Sequence, residues 1–150
     1  MIRLIRWVAA LPLAVLAAFA VHIIFGFTFG IAHGFEEVDV FWESRDMAGM
    51  PISGTYIMIV TRSVTAATLV GVAAWLVPQF KKQIGFSLAI VVSILSTILL
   101  IFLLYQSVRL ELPLGFGGWY RSILELASII IGCVVGAGFS ASMESTNGPA

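Results

Sequence analysis

Apolar residues gather into four long runs, about 5–32, 55–77, 84–108 and 122–141, and charges and turn residues collect between them. A helix needs roughly 20 mostly apolar residues to cross the hydrocarbon of a bilayer, and each run is long enough. Membrane-spanning strands would instead show segments of about ten residues that alternate in polarity, and the chain has no such alternation. The pattern therefore predicts an all-α integral membrane protein, an up-and-down bundle of four transmembrane helices. The runs and their short connections use all 150 residues, so 1–150 reads as a single four-helix transmembrane domain.

Composition agrees. The chain is 60% hydrophobic and 11% charged, with a mean hydropathy of +1.06, whereas soluble domains carry about 25% charged residues. The expected surroundings are membrane lipid. The formal net charge is zero and there is no basic tail, so nucleic acid is not an expected partner. Cys133 is the single cysteine and lies in the fourth run. It cannot form an intrachain disulfide, which excludes the four-helix thiol-oxidising enzymes, and it reads as a small apolar residue in a helix. The start of the chain, with Arg3 and Arg6 before an apolar stretch and Ala18-Phe19-Ala20, has the outline of a signal peptide. The apolar run continues to Ala32, however, and the segment reads as a retained first helix.

Basic residues set orientation. Arg3, Arg6, Lys81 and Lys82 lie at one membrane side; Arg45, Arg109 and Arg121 lie at the other, with Glu36, Glu37, Asp39, Glu43 and Asp46 in the first connection. This bias places the N-terminus and C-terminus in the cytoplasm. The compact chain, with no eukaryotic targeting signal, suggests a bacterial inner membrane. Trp7 and Trp75 fall at one boundary and Tyr56, Tyr105, Trp119 and Tyr120 at the other, where amphipathic rings belong. Pro78 should end the second helix, and Pro12 predicts a bend near 8–12. In the first connection Val38, Phe41 and Trp42 have the spacing of a short amphipathic helix on the outer surface. Phe41 and Trp42 mark it as a candidate docking loop for a partner.

Small residues recur every fourth position. The first helix has Ala10, Ala14, Ala18, Gly26, Gly30 and Gly34, with His22 interrupting the series. The second has Ser63, Ala67 and Gly71; the third Gly85, Ala89, Ser93 and Thr97; the fourth Ser128, Gly132, Gly136 and Ser140. In lipid, such faces let helix backbones approach closely, and packing replaces the hydrophobic effect. Four residues turn a helix about 40° past one full turn, so from Ala14 to Gly30 the face rotates by roughly 160°. One half of the first ladder should therefore pack within the bundle. The other should meet something else, either a further helix of this chain or another subunit.

Ionisable residues inside membrane helices are the default functional candidates. Arg62 lies about two turns inside the second helix and Glu125 one turn inside the fourth, at the same side, and the expectation is a structural ion pair between them. His22 stands near mid-membrane. As a haem ligand it would need a partner from a second copy or another subunit, because no other helix carries a histidine. The simpler expectation is a neutral imidazole hydrogen-bonded to a facing Ser93 or Thr97. Leu114-Gly-Phe-Gly-Gly reads as a flexible connection, since it lacks the strand–turn–helix setting of a phosphate loop. There is no HExxH, no CxxC and no intramembrane acidic cluster, and no hydroxyl has an evident general base nearby. Small four-helix multidrug exporters carry an essential glutamate in their first helix, and this chain has none there. No enzyme, cofactor or metal is expected. The reading is an accessory, scaffolding or assembly subunit of a larger membrane complex, packed against other subunits or itself. The alternative is a small oligomeric transporter or channel using Arg62, Glu125 and His22.

Overall fold

A computed structural model describes residues 2–33, 52–109 and 116–146. Apart from a short turn at 77–80 these residues are helical: α1 (Ile2–His33), α2 (Ile52–Leu76), α3 (Lys81–Arg109) and α4 (Phe116–Thr146). Each contains a segment long and apolar enough to cross a membrane, Ile5–Phe29, Tyr56–Leu76, Lys81–Gln106 and Ser122–Met143. The protein is an all-α four-helix membrane bundle.

The helices overrun the apolar runs at their polar ends. A helix satisfies its own backbone N–H and C=O groups, so continuing it through the interface costs less than breaking it there. Thus α3 already begins at Lys81. At its start α4 takes in Gly117 and Gly118, where the glycine-rich stretch suggests a loop. α1 passes unbroken through Pro12, because neighbouring turns and side chains can re-satisfy the group a proline frees. The α2–α3 connection is tight. Pro78 cannot extend α2, and Phe80 takes a left-handed φ of 61°, which costs a non-glycine residue about 1–2 kcal/mol. The Phe80 carbonyl then accepts the Ile84 N–H at 2.9 Å, which starts α3.

α2 is the centre of the bundle. It packs against α4 on one face and α1 on the other; α3 lies mainly against α4 and touches α2 less. α1 makes no comparable interface with α3 or α4. Contacts between α2 and α4 advance together along both chains, Ser63 with Gly132, Ala67 with Gly136 and Gly71 with Phe139. These two helices therefore run parallel. In a square up-and-down bundle they would face each other across a diagonal. Here small residues let that diagonal close, and the bundle is flattened around it.

The core is correspondingly small-grained. Ala66, Val70, Ala89, Cys133 and Ala137 form it, with Leu88, Val92 and Ile129 packed against it. The large apolar side chains face outward, among them Leu16, Phe19, Leu95, Leu99 and Val134. Small inside and large outside is the arrangement expected when lipid is the solvent and close backbone approach holds helices together.

Candidate functional site

The α2–α4 contact is the tightest in the molecule. A Cβ added at Gly132 would collide with the Ser63 carbonyl oxygen and with Ala66. One added at Gly136 would lie 2.8 Å from the Ala67 carbonyl oxygen and 2.9 Å from Val70 Cβ. Only glycine permits this approach. Ser63 Oγ spans the interface and donates to the Ser128 carbonyl at 3.0 Å. Gly71 is also buried, with Phe139 beside it at ordinary contact distance. On α3, a Cβ at Gly85 would fall 2.5 Å from Ser140 Oγ of α4. Further along the same pair, Ser93 of α3 faces the buried Cys133 of α4.

The first ladder divides as its rotation requires. Ala10, Ala14 and Ala18 are buried, and α2 is the neighbour α1 packs against. Gly26, turned about 120° from Ala14, is exposed and has nothing within 4 Å of the position a Cβ would take. Gly30 lies in α1, but its surroundings are outside the described residues, as are Gly34, Phe41 and Trp42 altogether.

The intramembrane ionisable groups lie toward one side of the membrane spans. Arg62 is six residues inside the Tyr56–Leu76 span and His22 seven from the end of the Ile5–Phe29 span, about 9–10 Å deep in each case. Glu125 is three residues inside its span, about 4–5 Å deep. Arg62 Nη2 lies 3.7 Å from Glu125 Oε1, and the two side chains are 33% and 28% exposed. His22 is half-buried and close enough to Arg62 for the two to interact electrostatically. The structure thus brings together Arg62 and Glu125 and sets His22 near them. It does not join His22 to Ser93 or Thr97. α3 is not the neighbour of α1; Ser93 is turned to Cys133 instead, and the Thr97 hydroxyl donates to the Ser93 carbonyl at 2.8 Å.

Two residues carry information that their sequence positions conceal. The hydroxyls of Thr61 and Thr65 are buried without a hydrogen-bond partner. Other hydroxyls fold back on their own helix, as Thr68 does on Val64, Ser128 on Leu124 and Ser140 on Gly136. Thr61 and Thr65 are one turn apart and point about 160–200° away from Ser63, hence away from α4 and toward α1. The α2–α4 interface is tight and hydrogen-bonded, whereas the α1–α2 interface leaves polar groups unpaired. The i, i+4 spacing was the available signal, but hydroxyls are frequent in this chain and the pair did not stand out.

Chemically, the hydroxyls named here serve helix packing, and among the described residues charge within the spans gathers at His22, Arg62 and Glu125, toward one membrane side. Among the described residues no group of three His, Cys, Asp or Glu side chains could hold a metal ion. Protein-family models, curated proteins and solved structures give no match to the chain.

Proposed function

We propose that the protein is a non-enzymatic accessory or scaffolding subunit of a larger membrane assembly. We place it in a bacterial inner membrane with both termini in the cytoplasm. The observation that carries the reading is the position of α1. Three alanines hold it to α2 alone, and its Gly26 face opens on empty space inside the span. A glycine in a membrane helix is useful where another backbone approaches, and among the described residues no helix approaches there. The interior supports the same reading. Where α2 meets α4 the backbones are too close to leave a conduit between them. The orientation rests on the basic residues, with Lys81 and Lys82 at the start of α3, at the end that would face the cytoplasm.

The test is gentle solubilisation followed by identification and stoichiometry of whatever co-purifies. A stable complex with larger membrane proteins, weakened by Gly26→Leu, is expected. A second reading, a small oligomeric transporter or channel, draws on the convergence of His22, Arg62 and Glu125. It would be favoured by a homogeneous homo-oligomer whose reconstituted vesicles leak or exchange a solute, and by loss of that flux in Glu125→Gln.

A further inference from the structure

We propose that Arg62 binds the phosphodiester of a membrane phospholipid, with Glu125 as the competing anion. Helix geometry places the site. Ser63 faces α4 and Thr61 faces away from it toward α1; Arg62 stands about 100° from each. It therefore occupies the flank of α2 between its two principal interfaces. α1 and α4 do not close over that flank by packing on each other, and a third of the Arg62 side chain stays exposed.

The guanidinium is under-satisfied there. It carries five N–H donors in a planar fork. Its ion-pair contact to Glu125 is 3.7 Å, well beyond the roughly 2.7–2.9 Å of a charge-assisted hydrogen bond. Leaving such donors unpaired in hydrocarbon is costly. From a depth of about 9 Å the long stem can lift the head toward the headgroup layer. Glu125, about half that depth, lies in the same direction. The ligand that layer supplies in quantity is the phosphodiester, whose two free oxygens match the fork bidentately. The acyl chains then lie along the exposed apolar surface of the neighbouring helices. The charge balance fits this use: Glu125 holds the guanidinium loosely in position when no phosphate is present and is displaced when one arrives.

The experiment measures lipid retention by native mass spectrometry of the full chain, released from nanodiscs that hold equal amounts of phosphatidylglycerol and diacylglycerol of the same chain length. Preferential retention of phosphatidylglycerol is expected. Arg62→Gln should lower it by about fivefold or more, the loss of one charge-assisted fork. Glu125→Gln should leave it unchanged or raise it, because the competitor is gone. Thermal melting of each variant separates binding from folding. If Arg62→Gln does not fold, Arg62→Lys decides, since it keeps the charge and loses the fork: reduced retention supports the site and undiminished retention overturns it. Equal losses in Arg62→Gln and Glu125→Gln would overturn the proposal and leave a purely structural ion pair. Equal retention of diacylglycerol would show that only acyl chains are held. Displacement of the lipid by millimolar glycerol 3-phosphate would show that a soluble phosphate, not a lipid, is the ligand.

Discussion

Single atoms decide the packing of this bundle. Gly132→Ala would drive a methyl group into the Ser63 carbonyl and Ala66, and overpacking of this kind costs about 1–3 kcal/mol. Gly26→Ala meets open space and should leave the isolated chain as stable as before or more stable, by up to about 1 kcal/mol from the gain in helix propensity. Thermal unfolding of the two variants in one detergent checks the contrast. The Arg62–Glu125 pair stands between the surface and the buried case. Breaking it with Glu125→Gln should cost about 1–3 kcal/mol, and exchanging the two residues should recover much of the loss; unchanged melting in both detergent and lipid would show that the pair is not structural. Several of these residues are legible in the sequence. Glycines at four-residue spacing mark the close face of α4, and a charge one or two turns inside an apolar run must find a partner near its own depth. The neighbour of His22 was not legible. Its depth follows from counting residues, but the direction it faces depends on which helix lies beside α1. The buried hydroxyls of Thr61 and Thr65 were concealed for the same reason.

At the scale of helices, number, length and approximate ends follow from the apolar runs, since hydrocarbon thickness fixes how many residues a span needs. The helix ends shift by a few residues because backbone hydrogen bonding, not side-chain polarity, decides where a membrane helix stops. Adjacency was not legible. Every helix offers a small-residue face, and such a face does not specify its partner. Short connections suggest that sequential helices are neighbours, yet the tightest contact joins α2 to α4, which are not consecutive and run parallel. This arrangement is open to a direct check. In a Cys133→Ala background, Gly71→Cys combined with Phe139→Cys should be joined by a short thiol-reactive cross-linker, because a Cβ at 71 would lie 3.6 Å from the Phe139 ring. A square bundle would hold the two positions apart across its diagonal and give no bridge.

For the whole molecule, the core joins α2, α3 and α4 and leaves α1 attached along one side of α2. The side of α1 that the other described helices leave bare is where an assembly would hold it. Phe19 lies on that side, two turns before Gly26 and about 20° away in rotation, and it is well exposed. Replacing Phe19 with a photo-reactive benzoyl-phenylalanine and irradiating intact membranes tests the claim most directly, with the same substitution at the exposed Leu99 of α3 as a lipid-facing control. A discrete, stoichiometric adduct between position 19 and one other membrane polypeptide is expected, weakened by Gly26→Leu and absent from position 99. Adducts to lipid alone, or only to a second copy of this chain, would contradict it.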